Sequence, residues 1–247
     1  DYGITLAEIL YGDYDKLKDV GFREKPVENI RENNRACWAE AEFERAASLG
    51  VDLVSCDDIN YPEALFELKD PPVLLYWYGS AKSISFPSIA VVGTRKCTVY
   101  GRETARRIGE MCALTHRTVV SGGASGIDGA AHGGVCENNG ETFAVFGNGV
   151  DVVFPRANSA LFDKIRENGA LISEFPLGSG GEAWRFPKRN RLVAALSEKL
   201  IVVEAPIKSG AMITARMSLD LGHEVWAVPG RISEEASEGS NRLIFDG

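Results

Sequence analysis

The chain is short of the features that announce a class early. It has no run of 18 apolar residues, so no transmembrane helix is expected. Its acidic start carries no basic segment ahead of an apolar core, so no signal peptide is visible. Its five cysteines (Cys37, Cys56, Cys97, Cys112 and Cys136) are scattered, odd in number and without a CxxC pair. That argues against zinc and against a disulfide framework, and it predicts reduced thiols in a cytoplasm. Basic charge is also scarce. The net charge of −8 does not favour a chain that binds nucleic acid over its whole surface, although a local basic patch can carry binding on an acidic body. There is no internal repeat and no low-complexity segment.

What remains is ordinary material for a packed α/β protein: 247 residues, 45% apolar and 25% charged. Residues 1–50 read as helical. Ile4, Leu6, Ile9 and Leu10 sit at near-helical spacing, a second short pattern covers 13–20, and 35–49 is amphipathic with Cys37, Trp38, Ala41, Phe43 and Ala47 near one face. Short strands follow at 51–55 and 73–78. From Ser88 the alternation becomes regular, with strands at 88–92, 118–121, 142–146, 170–173, 200–204 and 224–228. Helices are expected at 101–115, 127–139, 158–168, 191–197 and 213–221 between them. Apolar, unalternating strands between helices mean a parallel sheet covered on both faces. The fold class is therefore α/β, a doubly wound, mostly parallel, extended Rossmann-like sheet with a small N-terminal helical region. The boundary is drawn between an N-terminal region at 1–55 and the Rossmann-like domain at 56–247.

In such a sheet ligands sit over the carboxyl ends of the strands, and glycine turns fall there. The first strand breaks at Gly93-Thr94-Arg95, and the second at Ser121-Gly122-Gly123-Ala124-Ser125-Gly126. A strand turning sharply through glycine into a helix aims backbone N–H groups at whatever lies above the sheet, and such groups attract phosphate. Arg95 would add a bidentate fork; an ordinary turn with an exposed arginine explains the same residues. The glycine run has no complete GxGxxG and no acidic residue ending the next strand for a ribose, and it lacks a Walker lysine. Ser209 and Gly210 open a later helix and would cap it or meet phosphate. Basic residues gather at Arg95, Lys96, Arg102, Arg106 and Arg107, and again at Arg185, Lys188, Arg189 and Arg191. A phosphate polymer is the favoured ligand.

Other candidates have plainer readings. Asp128 and His132, four residues apart on one helix face, read as a structural pair in which Asp128 gains from the helix dipole and His132 bonds to it. Asp151 reads as a turn former. Phe154 reads as core; Trp184 and Phe186, beside the basic segment, are stacking candidates. Glu204 ends an apolar strand, where a catalytic carboxylate is able to sit.

The ordered motifs carry a resemblance. GTR, SGGASGIDGAAH, VFGNGVDVVFPRAN, ISEFP, FPKRNR, LIVVEAPIKSGAMITA, VWAVPG and GSNRLI follow one another with the spacing of the DNA processing protein A (DprA, or Smf) family, over roughly Tyr61 to Gly247. The resemblance implies a Rossmann-like domain that binds single-stranded DNA without catalysis, protects incoming strands in natural transformation and loads RecA onto them. It implies a homodimer, no cofactor, no metal and no membrane. It places the family's basic pocket on Arg95 and on the segment with Phe186, Lys188, Arg189 and Asn190; the turns, helix start and basic cluster add Gly93, Thr94, Ser121, Gly122, Gly123, Gly126, Arg191, Ser209 and Gly210 to the candidate DNA- and phosphate-binding set. Ser125 stands where the family usually has Lys or Arg, and residues 218–221 depart from its common small and basic pattern. No winged-helix domain, which many members carry, is expected within this chain. The alternative is a nucleotide-processing enzyme of the phosphoribohydrolase (LOG-like) type with Glu204 or Glu174 as its carboxylate, although its PGGxGTxxE loop does not occur.

Overall fold

The computed structural model describes residues 36–84 and 87–247, together with Lys18, Arg23, Glu24, Lys25 and Glu28. Apart from Lys18, the helical patterns expected at 4–10 and 13–20 lie outside the described residues. The chain divides into one unit at 1–48 and a second at 49–247. In the first, helix α1 (Ala36–Leu49) buries Glu42 and Ala46, while Trp38 and Phe43 are exposed, so the buried face is not the one its apolar spacing predicts. Gly50, with φ of +68°, ends the helix in a conformation that only glycine adopts cheaply.

The second unit is built on one sheet of eight strands. These are β1 (Asp52–Ser55), β2 (Leu74–Gly79), β3 (Ser88–Val92), β4 (Thr118–Ser121), β5 (Thr142–Phe146), β6 (Ala170–Ser173), β7 (Lys199–Val202) and β8 (Glu224–Ala227). Their spatial order is β1-β2-β6-β5-β4-β3-β7-β8. β1 and β2 are antiparallel to their neighbours, and all other pairings are parallel. The strand that the expected 55/56 boundary assigns to the N-terminal region is thus the sheet's edge, in register with β2 from Asp52 opposite Trp77 to Ser55 opposite Leu74.

Helices α2 (Val99–Leu114), α3 (Ile127–Glu137), α4 (Ser159–Asn168), α5 (Arg185–Ala195), α6 (Gly210–Asp220) and α7 (Glu238–Asp246) complete the unit. The side-chain alternation of a strand divides β3 between two cores. Ile89 and Val91 join Ala105 and Cys112 of α2 and Ile127, Ala131 and Val135 of α3. Ala90 and Val92 join Leu192, Val193 and Leu196 of the α5 region and Ala211 and Ala215 of α6. Each fully buried Leu, Ile or Phe contributes about 1.5–3 kcal/mol. This two-sided burial is why β3, β4, β5 and β6 are buried at every position, whereas the edge strand β8 alternates with Trp226 half exposed.

Two helix starts differ from the sequence expectation by three residues or more. α5 begins at Arg185 rather than 191, because Pro187 falls in the first turn, where a missing N–H costs nothing. α6 begins at Gly210 rather than 213, with the Ser209 hydroxyl accepting from the Met212 N–H at 3.4 Å. Both shifts move site candidates from loops onto helix ends. The chain runs from β3 outward through β4, β5 and β6, then returns to the other side of β3 for β7 and β8. The connections after β3 and β7 therefore diverge, and a crevice opens between them at the carboxyl edge.

Candidate functional site

A cleft of about 420 Å³ occupies that crevice. The β3–α2 connection supplies Gly93, Thr94, Arg95 and Lys96; the β4–α3 turn supplies Gly122 and Ala124; the β7–α6 connection supplies Lys208, Ser209 and Gly210; and α5 contributes Phe186, Arg189 and Asn190. Four separate sequence segments thus converge, as the glycine turns predicted. A narrower recess of about 60 Å³ continues from it between Phe186 and Phe154, whose rings are 5.9 Å apart.

The mouth of the cleft is cationic. Arg95, Lys96 and Lys208 are all exposed, and among the described residues no carboxylate pairs with any of them. Arg95 instead lies over the Phe186 ring, 5.1 Å from its centroid. The first turn of α6 adds its partial positive charge on the same side. Sequence reading missed Lys96 as a site residue and Lys208 altogether. Lys208 stands alone in the sequence, and its signal was only its place after a buried strand.

The floor is built differently. Arg189 is 5% exposed. Its Nη1 donates to the Gly122 carbonyl at 2.6 Å and to the Val145 carbonyl, while its Nε donates to Asn190 Oδ1 at 3.2 Å. Burial pulls its guanidinium down to about 10, against the pull of Asp128 upward. Asp128 accepts from the Gly122 N–H at 3.1 Å and the Ala124 N–H at 3.4 Å. Burial raises its carboxyl above the usual range, and Arg189 with those two N–H groups opposes the rise. Asn190 donates to the Gly210 carbonyl at 3.3 Å. The N–H groups of Thr94 and Gly122, expected to face a phosphate, are given to the Glu204 carbonyl at 2.7 Å and to Asp128. Those two N–H groups are thus already committed, and side-chain cations with the first turn of α6 are what the cleft offers an anion.

Several candidates lie apart from the lining. Gly126 has φ of +85° and sits against the Thr94 carbonyl, where a Cβ has no room, so it ties the β4–α3 turn to the β3–α2 turn. Gly123, with φ of +66°, faces the Phe146 and Phe162 rings. Ser121 is buried, its hydroxyl donating to the Val91 carbonyl at 2.6 Å. Arg191 is paired with Glu174 at 2.7 Å and Asp70 at 3.4 Å, and Lys188 lies 3.7 Å from the same Glu174. Burial raises the Glu174 carboxyl, and Arg191 and Lys188 oppose it.

Three local readings change. His132 does not bond Asp128; its Nδ1 lies 2.7 Å from the Thr142 hydroxyl. Phe154 is 41% exposed rather than core, because it covers Phe186 at the recess. Glu204 is buried with its carboxylate accepting from the Thr98 N–H at 2.8 Å and hydroxyl at 2.6 Å, which occupies both oxygens at the start of α2. Trp184 is 57% exposed, its ring edge-on to Phe175 and its indole N–H donated to Glu182 at 2.6 Å.

Fold and cleft define a doubly wound α/β protein with an open, cation-lipped crevice at its switch point, suited to an extended anionic ligand with flat groups. Residues 52–247 match the family model for DNA recombination-mediator protein A, and the chain belongs to that family. It is 35% identical over 231 residues to Protein Smf of Synechocystis sp., covering 92% of this chain and 58% of that protein. The chain therefore spans less than two thirds of that relative's length. The X-ray structure of DNA processing protein A (DprA) from Streptococcus pneumoniae superposes with a TM-score of 0.84 at 35% identity, covering 95% of this chain and 81% of that one. DNA processing protein A from Helicobacter pylori, whose structure concerns its single-stranded DNA binding mode, superposes at 0.72 with 31% identity, over 81% of this chain and 90% of that one. Among the described residues no helix is long and apolar enough to cross a membrane.

Proposed function

We propose that the cleft binds the phosphates of single-stranded DNA and that the chain acts as a recombination mediator. The observation that carries this reading is the trio Arg95, Lys96 and Lys208, solvent-facing and, among the described residues, without a carboxylate partner, beside the half-buried Phe186 ring and the exposed Phe154 ring. A positive groove following phosphates with aromatic rings for bases is how single strands are held without sequence preference. The crevice opens between the β3–α2 and β7–α6 connections, and among the described residues no helix presents itself as a reader of a major groove. Family membership supports the finer reading: a homodimer in the cytoplasm that protects incoming strands and loads RecA onto them. Binding without catalysis is favoured because Glu204 and Glu174, the alternative candidates for a phosphoribohydrolase carboxylate, are engaged by Thr98 and Arg191.

The test is a salt titration of oligo-dT binding against a duplex of equal length. Single strands bind more tightly, and the slope of log affinity against log salt falls by roughly 0.7 for each phosphate-bound cation removed, hence roughly 1.4 for the Arg95→Ala, Lys208→Ala double variant. Equal or tighter binding to duplex, or a double variant with an unchanged slope, overturns the proposal.

A further inference from the structure

A second cleft, of about 500 Å³, opens on the other flank of the same two connections. The chain after β3 passes from Gly93–Lys96 in the first cleft to Thr98 and then to Val99 and Tyr100, the first residues of α2, in the second. The β7–α6 connection passes from Glu204 in the second to Lys208, Ser209 and Gly210 in the first. No residue lines both clefts; what joins them is that the chain after β3 and the chain after β7 each contribute to both.

Their chemistry differs. The second cleft has Glu204 at its base and Glu234 in its lining against one cation, Arg231. Two carboxylates against one guanidinium repel a phosphate. The cleft instead offers a ring: Tyr100 is 54% exposed, and its hydroxyl donates to the Pro229 carbonyl at 3.2 Å. Tethering at the hydroxyl holds the ring in place while leaving it open, so little rotamer freedom is lost when a flat group settles on it. Val99, 86% exposed, adds apolar surface beside it. A flat, uncharged group with amine or imide edges fits this lining.

We propose that the second cleft takes a nucleobase, stacked on Tyr100, from the same strand whose phosphates lie in the first cleft. The inference rests on the reading of the first cleft given above, and it extends the bound strand across the β3–α2 connection.

The experiment compares oligo-dT of about four and about twelve nucleotides, lengths at the short and long parts of the usual range for single-strand sites. Tyr100→Ala weakens binding of the longer oligonucleotide about tenfold, the loss of one base–aromatic stack, and leaves the shorter one unchanged. Tyr100→Phe, which keeps the ring, retains wild-type binding of both. A 2-aminopurine placed outside the first cleft is quenched on binding to the wild type and to Tyr100→Phe but not to Tyr100→Ala. If the wild type binds neither oligonucleotide, the reading of the first cleft falls, and this inference with it. If the wild type binds both and Tyr100→Ala, with a native thermal melt, matches it at both lengths or loses both equally, the second cleft is overturned while the first stands.

Discussion

Arg95 and Arg189 border one cleft and bear the same charge, yet they are employed in opposite ways. Arg95, at the mouth, is exposed and lies over the Phe186 ring, with no carboxylate partner among the described residues. Arg189, on the floor, is buried and has given its donors to the carbonyls of Gly122 and Val145 and to Asn190. Charge at the mouth is available to a ligand, whereas charge on the floor is consumed in joining the carboxyl ends of β4 and β5 to α5. A cation counts toward a binding site by what it is not already holding.

The largest effect expected from that contrast is on the floor. Arg189→Ala takes a donor from the Gly122 and Val145 carbonyls and removes the positive charge that opposes the rise of the buried Asp128 carboxyl. Leaving a buried polar group without its partner typically costs about 1–3 kcal/mol. The urea midpoint should drop accordingly, and Arg189→Lys should rescue little, since an ammonium lacks the planar fork that reaches two carbonyls and Asn190 together. A variant with a wild-type midpoint and weakened oligo-dT binding would move Arg189 to the mouth and break the comparison.

A second effect, small at neutral pH, comes from His132 on α3. It is buried beside the Thr142 hydroxyl, and burial together with Arg189 depresses its imidazole to about 3 from an ordinary 6.5. Below pH 6.5 the unfolded chain binds a proton that the folded one refuses. Stability is therefore complete above that pH and falls as pH drops through the window toward 3, at about 1.4 kcal/mol per pH unit for this group. His132→Gln should flatten that part of the profile, read as the difference from wild type in urea midpoints across the window so that carboxylate titration cancels. An unchanged difference would mean that the floor admits water and that His132 titrates normally.

Much of this arrangement is legible in the sequence. Strands such as IAVV and TFAVF are apolar without alternation because helices cover both faces, and that pattern alone gives a parallel sheet with turns at its carboxyl edge. The antiparallel pair β1–β2 and the early start of α5 were less visible. A short edge strand carries a weak pattern, and Pro187 reads as a breaker until its place in a first turn is known. Among the site residues, Arg95, Phe186, Ser209 and Gly210 line the cleft as their positions after strands or at helix starts suggest. Side-chain commitments were out of reach: Arg189 meets the Gly122 carbonyl across 67 positions, and Arg191, two residues on, turns to Glu174 instead. No local pattern distinguishes those neighbours, because the partners that divide them are set by the tertiary fold.

The smallest effect is expected where the sequence looked most basic. Arg106 and Arg107 stand in the same run as Arg95 and Lys96, but on α2 they are already paired. Arg106 reaches Glu103 and Glu137, each at 3.1 Å, with Glu110 at 3.5 Å, and Arg107 reaches Glu103 at 3.0 Å. The hydrogen bonds from Arg106 and Arg107 hold the Glu103 carboxyl below its usual range, which is the reciprocal sign that these cations are occupied. Exposed pairs of this kind contribute little to stability, yet they cancel the local field a phosphate would feel. Arg107→Ala should therefore change oligo-dT affinity by less than about twofold and leave the salt slope unmoved. Glu103→Gln makes the converse test, since it frees two guanidinium groups without adding a cation. If Arg107→Ala lowers the slope by roughly 0.7, α2 shares the strand with the cleft. If instead only Glu103→Gln raises it, the carboxylates on α2 are what confine binding to the mouth.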